Sequence, residues 1–244
     1  MPLTTDYIAK ARWVIRGNLM DKDFMESYAP VVNEATNKLL FALLAKLGWH
    51  TIKGDAVLAF LNGIIDPTGE KRIFMVQPKG YEQGDNDLVC ELKQLLYGLV
   101  LAARIWYDTL AAAMKDMGFE VSQYDAGLWI HSTKKNLYVT SYVDDFQVVS
   151  KLQEDSRWFI KALVEKFDIK TVDTVSKYLG VNIQEDDGVI KLSQADYARD
   201  LVNSFGLEDA HPVKLPYDPG LVIDDEFDPS INQEEYQRGT GSLN

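Results

Sequence analysis

Residues 137–150 read Leu-Tyr-Val-Thr-Ser-Tyr-Val-Asp-Asp-Phe-Gln-Val-Val-Ser, two apolar runs closing on an acidic dipeptide. The runs at 138–141 and 146–150 are rich in β-branched and aromatic residues, and so short a link between them predicts a strand–turn–strand hairpin. Such a hairpin buries Asp144 and Asp145 between apolar strands unless something compensates their charge. A divalent cation is the natural compensation; the alternative is a tight turn whose aspartates face water. Two further Asp-Asp pairs differ in context. Asp186-Asp187 adjoins a turn glycine and Asp224-Asp225 lies in an acidic tail, and both read as solvated surface because turns favour Asp.

Magnesium takes hard oxygen ligands, commonly one or two carboxylates with waters and substrate phosphates, so a third carboxylate is wanted near the hairpin. Asp55 is the candidate, because it opens the segment Asp-Ala-Val-Leu-Ala-Phe after a strand, which sets its carboxylate at a strand end. Two ions about 4 Å apart activate an attacking hydroxyl and stabilise a leaving pyrophosphate, the arrangement used by polymerases and nucleases.

Working outward, residues 9–18 (KARWVIRGN and its flank) read as a short basic strand and a Gly-Asn turn, with Lys10, Arg12 and Arg16 on one face. That stripe suits phosphate oxygens; an ordinary solvated strand face is the alternative. Asn33 is expected to cap a helix carrying Leu39, Leu40, Leu43, Leu44 and Leu47 and ended by Gly48. A strand then leads into a turn or short helix at Asp55, and a loop or hairpin turns at Pro67 and Gly69. A helix is expected over 102–117, stopping at Gly118, and another over 155–167. A hairpin turns at Asp187-Gly188, Ser193 caps a last helix ending near Gly206, and the tail beyond Leu207 reads as loosely ordered. Helices alternating with hairpins favour an α+β layer fold on a mostly antiparallel sheet.

With 244 residues, 46% of them apolar, the chain can bury a substantial core. It has no run of about 18 apolar residues, and its first residues lack the apolar stretch of a signal peptide, so an intracellular address without membrane is expected. Cys90 is the only cysteine, and His50, His131 and His211 fall in no zinc pattern. The net charge of −12 argues weakly against nucleic acid. From Glu208 onward nine acids face only Lys214 and Arg238, so the first 207 residues carry −5, part of it on the suspected metal carboxylates.

Nine blocks (KARWVIRGN, ESYAPVVNEAT, GDAVLAFLNG, RIFMVQPKGY, LVCELKQLLYGL, RIWY, YVDD, LGVNI and LSQADYARDLV) stand in the order and spacing of copia-type (Ty1/copia) retrotransposon reverse transcriptases, which the chain resembles over residues 9–221. The resemblance implies a right-hand polymerase. Fingers would occupy 1–48 and 67–97, and a ferredoxin-like palm 49–66 and 98–183. A palm–thumb junction would follow at 184–207, then an acidic connector at 208–244 toward a ribonuclease H region that is absent, as is integrase. It implies RNA-directed DNA synthesis with two Mg2+ ions, Mn2+ being a possible substitute, on an RNA or DNA template with a primer and dNTPs. The setting would be cytoplasmic virus-like particles, the nucleus, or both.

Residue by residue, the resemblance makes Asp55, Asp144 and Asp145 the catalytic metal carboxylates, with the Ala56 backbone carbonyl as a further ligand. Phe60 matches the aromatic beneath the deoxyribose that excludes a 2′-hydroxyl; as an isolated residue it would read as core. Gly98 matches a glycine where backbone approaches nucleotide or template, otherwise a turn, and Tyr97 accompanies it. Lys10, Arg12 and Arg16 match basic fingers residues facing the triphosphate or template. Tyr142, Leu179 and Gly180 match positions near template and primer, while Gln77-Pro78 reads as a structural turn. The chain departs from the family at Val100, Leu101 and Ala103, at Glu91 and Gln94 where lysines are common, and at Ala126-Gly127 in place of a usual Pro-Cys. These losses of positive charge, with a start that omits the first fingers strands, suggest a decayed fragment that keeps its triad. The alternatives are a catalytically silent remnant and a ferredoxin-like domain that binds nucleic acid or protein.

Overall fold

The computed structural model describes residues 13–20, 27–65, 72–85, 87–172, 175–214, 220 and 232–243. The chain divides into two compact units, Met1–Val175 with Glu185–Ile190, and Ser176–Gln184 with Lys191–Asn244.

The first unit contains, in order, α1 (Glu34–Leu47), β1 (His50–Ala56), a 3-10 turn (Ala59–Asn62), β2 (Ile73–Val76), β3 (Val89–Leu92), α2 (Ala102–Asp116), β4 (Phe119–Val121), β5 (Leu128–His131), β6 (Leu137–Tyr142), β7 (Asp145–Ser150), α3 (Gln153–Val164) and β8 (Ile169–Val172). Six strands form one sheet in the order β4-β5-β6-β7-β1-β8, antiparallel throughout. The path β1-α2-β6-β7-α3-β8 is a β-α-β-β-α-β unit whose four strands lie side by side as β6-β7-β1-β8. The expected α+β class with antiparallel sheets is what the structure has.

Period-two patterning explains the sheet. Ile52, Val139, Phe146 and Val148 point to one face and are at most 5% exposed, packed with Trp106, Leu110 and Met114 of α2 and Phe159 and Leu163 of α3. Each such side chain contributes about 1.5–3 kcal/mol on burial. Register therefore sends Thr51, Lys53 and Asp55 of β1, Asp145 and Gln147 of β7, and Thr140 and Tyr142 of β6 to the other face. Thr140 and Gln147 are nonetheless fully buried there.

The helix α1 ends as expected, Gly48 adopting the left-handed conformation (φ 62°) and donating its N–H to the Leu44 carbonyl. Its start differs. Asn33 makes no side-chain cap; its backbone N–H instead donates to Asp125 Oδ2 at 2.9 Å, and the Thr36 hydroxyl donates to the same oxygen. Asp125 is 4% exposed. Desolvation pushes its pKa up, but the donors Thr36, Asn33 and Gly127 outweigh it and hold the carboxyl below its ordinary range.

The second unit holds β9 (Lys177–Tyr178) and most of β10 (Val181–Asp186) and β11 (Val189–Ser193), the three paired in the order β11-β10-β9. It also holds α4 (Ala195–Ser204) and α5 (Gln233–Leu243), where the Tyr197 hydroxyl donates to the Ser242 carbonyl and Arg238 lies over the Phe205 ring.

Several expectations are corrected. Residues 13–16 form no strand beyond a single parallel bridge, Val14 to Tyr97, and 17–19 are a 3-10 turn that Met20 N–H closes on the Gly17 carbonyl. Gln194, not Ser193, precedes α4, since Ser193 is taken as the last residue of β11. The tail contains α5, whose Tyr197 and Phe205 contacts come from an element far away in sequence. Helix α3 starts and ends earlier than 155–167, because the chain turns into β8. Pro67 and Gly69 lie outside the described residues.

Candidate active site

The turn between β6 and β7 closes in two residues, since Tyr142 pairs directly with Asp145 and leaves Val143 and Asp144 at the tip. Val143 has φ 56°, and Asp144 is not in the positive region. This is the pattern of a type II′ turn, whose first central position ordinarily takes glycine. A β-branched residue there is a genuine outlier and costs about 1–3 kcal/mol.

Two backbone acceptors at the tip are held from the body of the unit. Trp106 of α2, 1% exposed, donates its indole Nε1–H to the Val143 carbonyl at 2.7 Å. The Ala56 N–H, at the end of β1, donates to the Asp144 carbonyl at 2.8 Å. Both bonds compensate part of the strain and fix the tip, one against α2 and the other against β1.

Register then assembles a row of side chains across four strands. Tyr142 of β6 stands opposite Asp145 of β7, Asp145 opposite Asp55 of β1, and Asp55 opposite Lys170 of β8. Directly opposed residues of an antiparallel pair share a face with Cβ atoms about 4.5–5.5 Å apart, so Asp55 and Asp145 are like charges in contact range. Lys53, two residues before Asp55 and so on the same face, places Nζ 2.8 Å from Asp145 Oδ1, with side chains 25% and 27% exposed. Among the described residues no three His, Cys, Asp or Glu side chains are gathered closely enough to hold a metal ion. The donor chemistry still fits a hard cation: two carboxylates on adjacent strands with a third one residue away, all half-buried.

The remaining predicted positions divide. Ala56 ends β1 opposite Ile169. Phe60, in the 3-10 turn, is half-buried; it packs against the main core and against the smaller cluster of Leu95, Leu99 and Ala102. Its ring meets Tyr97 edge-on at 5.2 Å. Gly98 has φ 86°, and a Cβ on it would lie 2.1 Å from the Ile15 carbonyl oxygen. The close approach that requires glycine is thus made by the chain's own backbone, and Ile15 N–H donates to the Tyr97 carbonyl beside it. Arg16, next in sequence, is exposed; Lys10 and Arg12 lie outside the described residues. Leu179 and Gly180, at φ 47° and 79°, are the two-residue turn between β9 and β10 and belong to the other unit. Glu91, one of the positions read as a departure from the family pattern, accepts both Arg72 Nε and Nη2 at 2.9 Å and pairs with Lys93. The Arg72 hydrogen bond, with Lys93, lowers its pKa to about 2.

Sequence reasoning overlooked Lys53 and the role of Trp106. Lys53 was detectable as a cation two residues from a suspected metal carboxylate on one strand; Trp106 offered only the motif Arg-Ile-Trp-Tyr.

A family model described as reverse transcriptase (RNA-dependent DNA polymerase) matches residues 4–219. The chain is 29% identical over 248 residues to the retrovirus-related Pol polyprotein from transposon TNT 1-94 of Nicotiana tabacum, covering 96% of this chain and 18% of that protein. It is 28% identical to the corresponding polyprotein from transposon RE2 of Arabidopsis thaliana, over 85% of this chain and 14% of that protein. To the transposon Ty1-DR5 Gag-Pol polyprotein of Saccharomyces cerevisiae it is 26% identical, over 93% and 13%. The chain therefore spans less than a fifth of the length of these relatives. Among solved structures it is similar to a telomerase from Candida albicans, at 13% identity and a TM-score of 0.37, over 70% of this chain and 36% of that one.

Proposed function

Since this chain belongs to the reverse transcriptase (RNA-dependent DNA polymerase) family, we propose that it extends a primer on an RNA or DNA template with dNTPs, as the polymerase part of a retrotransposon polyprotein. The observation that carries this reading is the register of Asp55 against Asp145 at the strained tip that presents Asp144. The β-α-β-β-α-β unit is read as a ferredoxin-like palm, and the β2–β3 ribbon with the segment around Ile15 as part of the fingers.

Asp55, Asp144 and Asp145 would hold two Mg2+ ions, which supply activation of the primer hydroxyl and charge neutralisation at the triphosphate. The chain's own contribution is positional. The Ala56 and Trp106 hydrogen bonds fix the hairpin tip, so the carboxylates are aimed before substrate arrives. Phe60 forms a half-buried wall five residues from Asp55 and would exclude a 2′-hydroxyl. Arg16 would meet phosphate, Tyr142 would meet primer or template, as would, separately, Leu179 and Gly180 of the second unit, and Tyr97-Gly98 would support the nucleotide side.

Primer extension on poly(rA)/oligo(dT) with Mg2+ tests the reading: the wild-type chain adds dTMP, and Asp55→Asn does not. Phe60→Val should raise ribonucleotide relative to deoxyribonucleotide incorporation by about one to two orders of magnitude, as steric discrimination of a few kcal/mol is lost. Parallel loss of both activities with a lowered melting temperature would make Phe60 a core residue only.

A second reading, a catalytically silent remnant, has one observation in its favour: an ammonium rather than a third carboxylate stands against Asp145. A well-folded wild-type chain that gives no extension would establish it.

A further inference from the structure

We propose that Lys53 is an internal counter-ion of the acidic row, and that a divalent cation has to displace its ammonium from Asp145 in order to bind. The inference rests on the metal-site reading above and adds a regulator of metal affinity that lies within β1 itself.

Asp55 and Asp145 are opposed like charges on adjacent strands, an arrangement that destabilises a sheet unless a cation intervenes. The period of two puts Lys53 on that face, diagonal to Asp145, and its Nζ is 2.8 Å from Oδ1 with about three-quarters of both side chains withdrawn from water. The neighbouring positions on this face are polar and buried: Gln147, opposite Lys53, is fully buried, as is Thr140 beyond it. Screening by solvent is accordingly weaker than at an exposed pair. Among the described residues of the row the further cation, Lys170, stands opposite Asp55 at the β8 side and is exposed. Lys53 is thus the cation placed to neutralise Asp145, which allows the carboxylates to fold together before any metal arrives. The same contact makes the carboxylate oxygen a shared ligand, so the ammonium and a metal ion compete for it.

The test is Mn2+ binding to the purified chain, without nucleic acid or dNTP, read from the electron paramagnetic resonance signal of free Mn2+ and paired with thermal melts. Lys53→Met should tighten Mn2+ binding by about fivefold or more, the scale of an ion pair's contribution. It should also lower the melting temperature of the metal-free chain and enlarge the rise produced by Mn2+. Lys53→Arg, which keeps the charge, should behave as wild type, and Lys53→Gln serves if the Met variant is poorly folded. In an Asp145→Asn background the Lys53 substitution should lose its effect. Equal Mn2+ affinity in wild type and Lys53→Met overturns the competition while leaving the metal site standing. No Mn2+ binding by either overturns both it and the two-metal reading.

Discussion

Among the described residues two hairpins carry an Asp-Asp pair, and they solve the same turn in opposite ways. In β10–β11 the left-handed positions fall on Asp187 and Gly188, at φ 48° and 75°, the pair that a type I′ turn favours. Nothing lies within 4 Å of a Cβ placed on Gly188, and the turn asks nothing of its surroundings. In β6–β7 the left-handed position falls on Val143, and the turn persists because Trp106 and Ala56 donate to the Val143 and Asp144 carbonyls on either side of the Asp144 Cα. The acidic dipeptide is therefore not the distinguishing feature. What separates a candidate site from a surface turn is a residue unsuited to its backbone conformation and a body of structure that holds it there.

The widest separation should appear in chemistry. Asp144→Asn is expected to reduce primer extension by about a thousandfold, since metal-supported charge stabilisation is worth several kcal/mol and each 1.36 kcal/mol is tenfold. Asp187→Asn should leave extension at the wild-type rate. Equal rates in the two variants would dissolve the contrast.

A smaller effect should appear in stability when the tip loses its support. Trp106→Phe keeps an aromatic ring in the core but removes the only indole donor to the Val143 carbonyl, and should cost about 2–4 kcal/mol from cavity and orphaned acceptor together. Denaturant unfolding measures it. If Val143→Gly is introduced first, the tip adopts its conformation without strain and the Trp106 substitution should cost less. Strict additivity would mean that Trp106 stabilises the core and not the turn.

The smallest effects come from exchanging turn residues. Gly188→Val should cost about 1–2 kcal/mol, from backbone conformation alone because the space is open. Val143→Gly should fall within about 1 kcal/mol of wild type, relief of strain offsetting lost packing and the entropy of glycine. A large loss at Val143 would show that its partly buried side chain outweighs its φ.

The β6–β7 hairpin was legible because long apolar runs flank an acidic pair, and α1 and α2 because leucine and alanine recur at helical spacing up to a glycine. The strands β4 and β5 were not, for a physical reason. At three and four residues they are too short to show a period, and they exist as strands because β6 offers them an edge. The strand β8, Ile-Lys-Thr-Val, went unread for the same reason: four residues show no period, and it pairs because β1 offers it an edge. Glycine at 98 was legible as a position of close approach, but sequence could not say that Ile15 is what approaches. Lys53 escaped notice because a lone lysine on a half-buried strand has meaning only once the neighbouring strand is in register.

Gly127 shows how such local solutions constrain the future of the chain. Its carbonyl accepts the Ser141 N–H, and a Cβ on it would lie 2.1 Å from the Val32 nitrogen, which itself donates to the Ser141 carbonyl. The segment before α1 occupies the volume that a side chain at 127 would fill. Any side chain at 127, cysteine included, would collide with backbone, so a substitution here has to move the segment before α1. The missing side chain is the room in which two distant segments of the chain meet, and any engineered residue larger than glycine would begin by parting them.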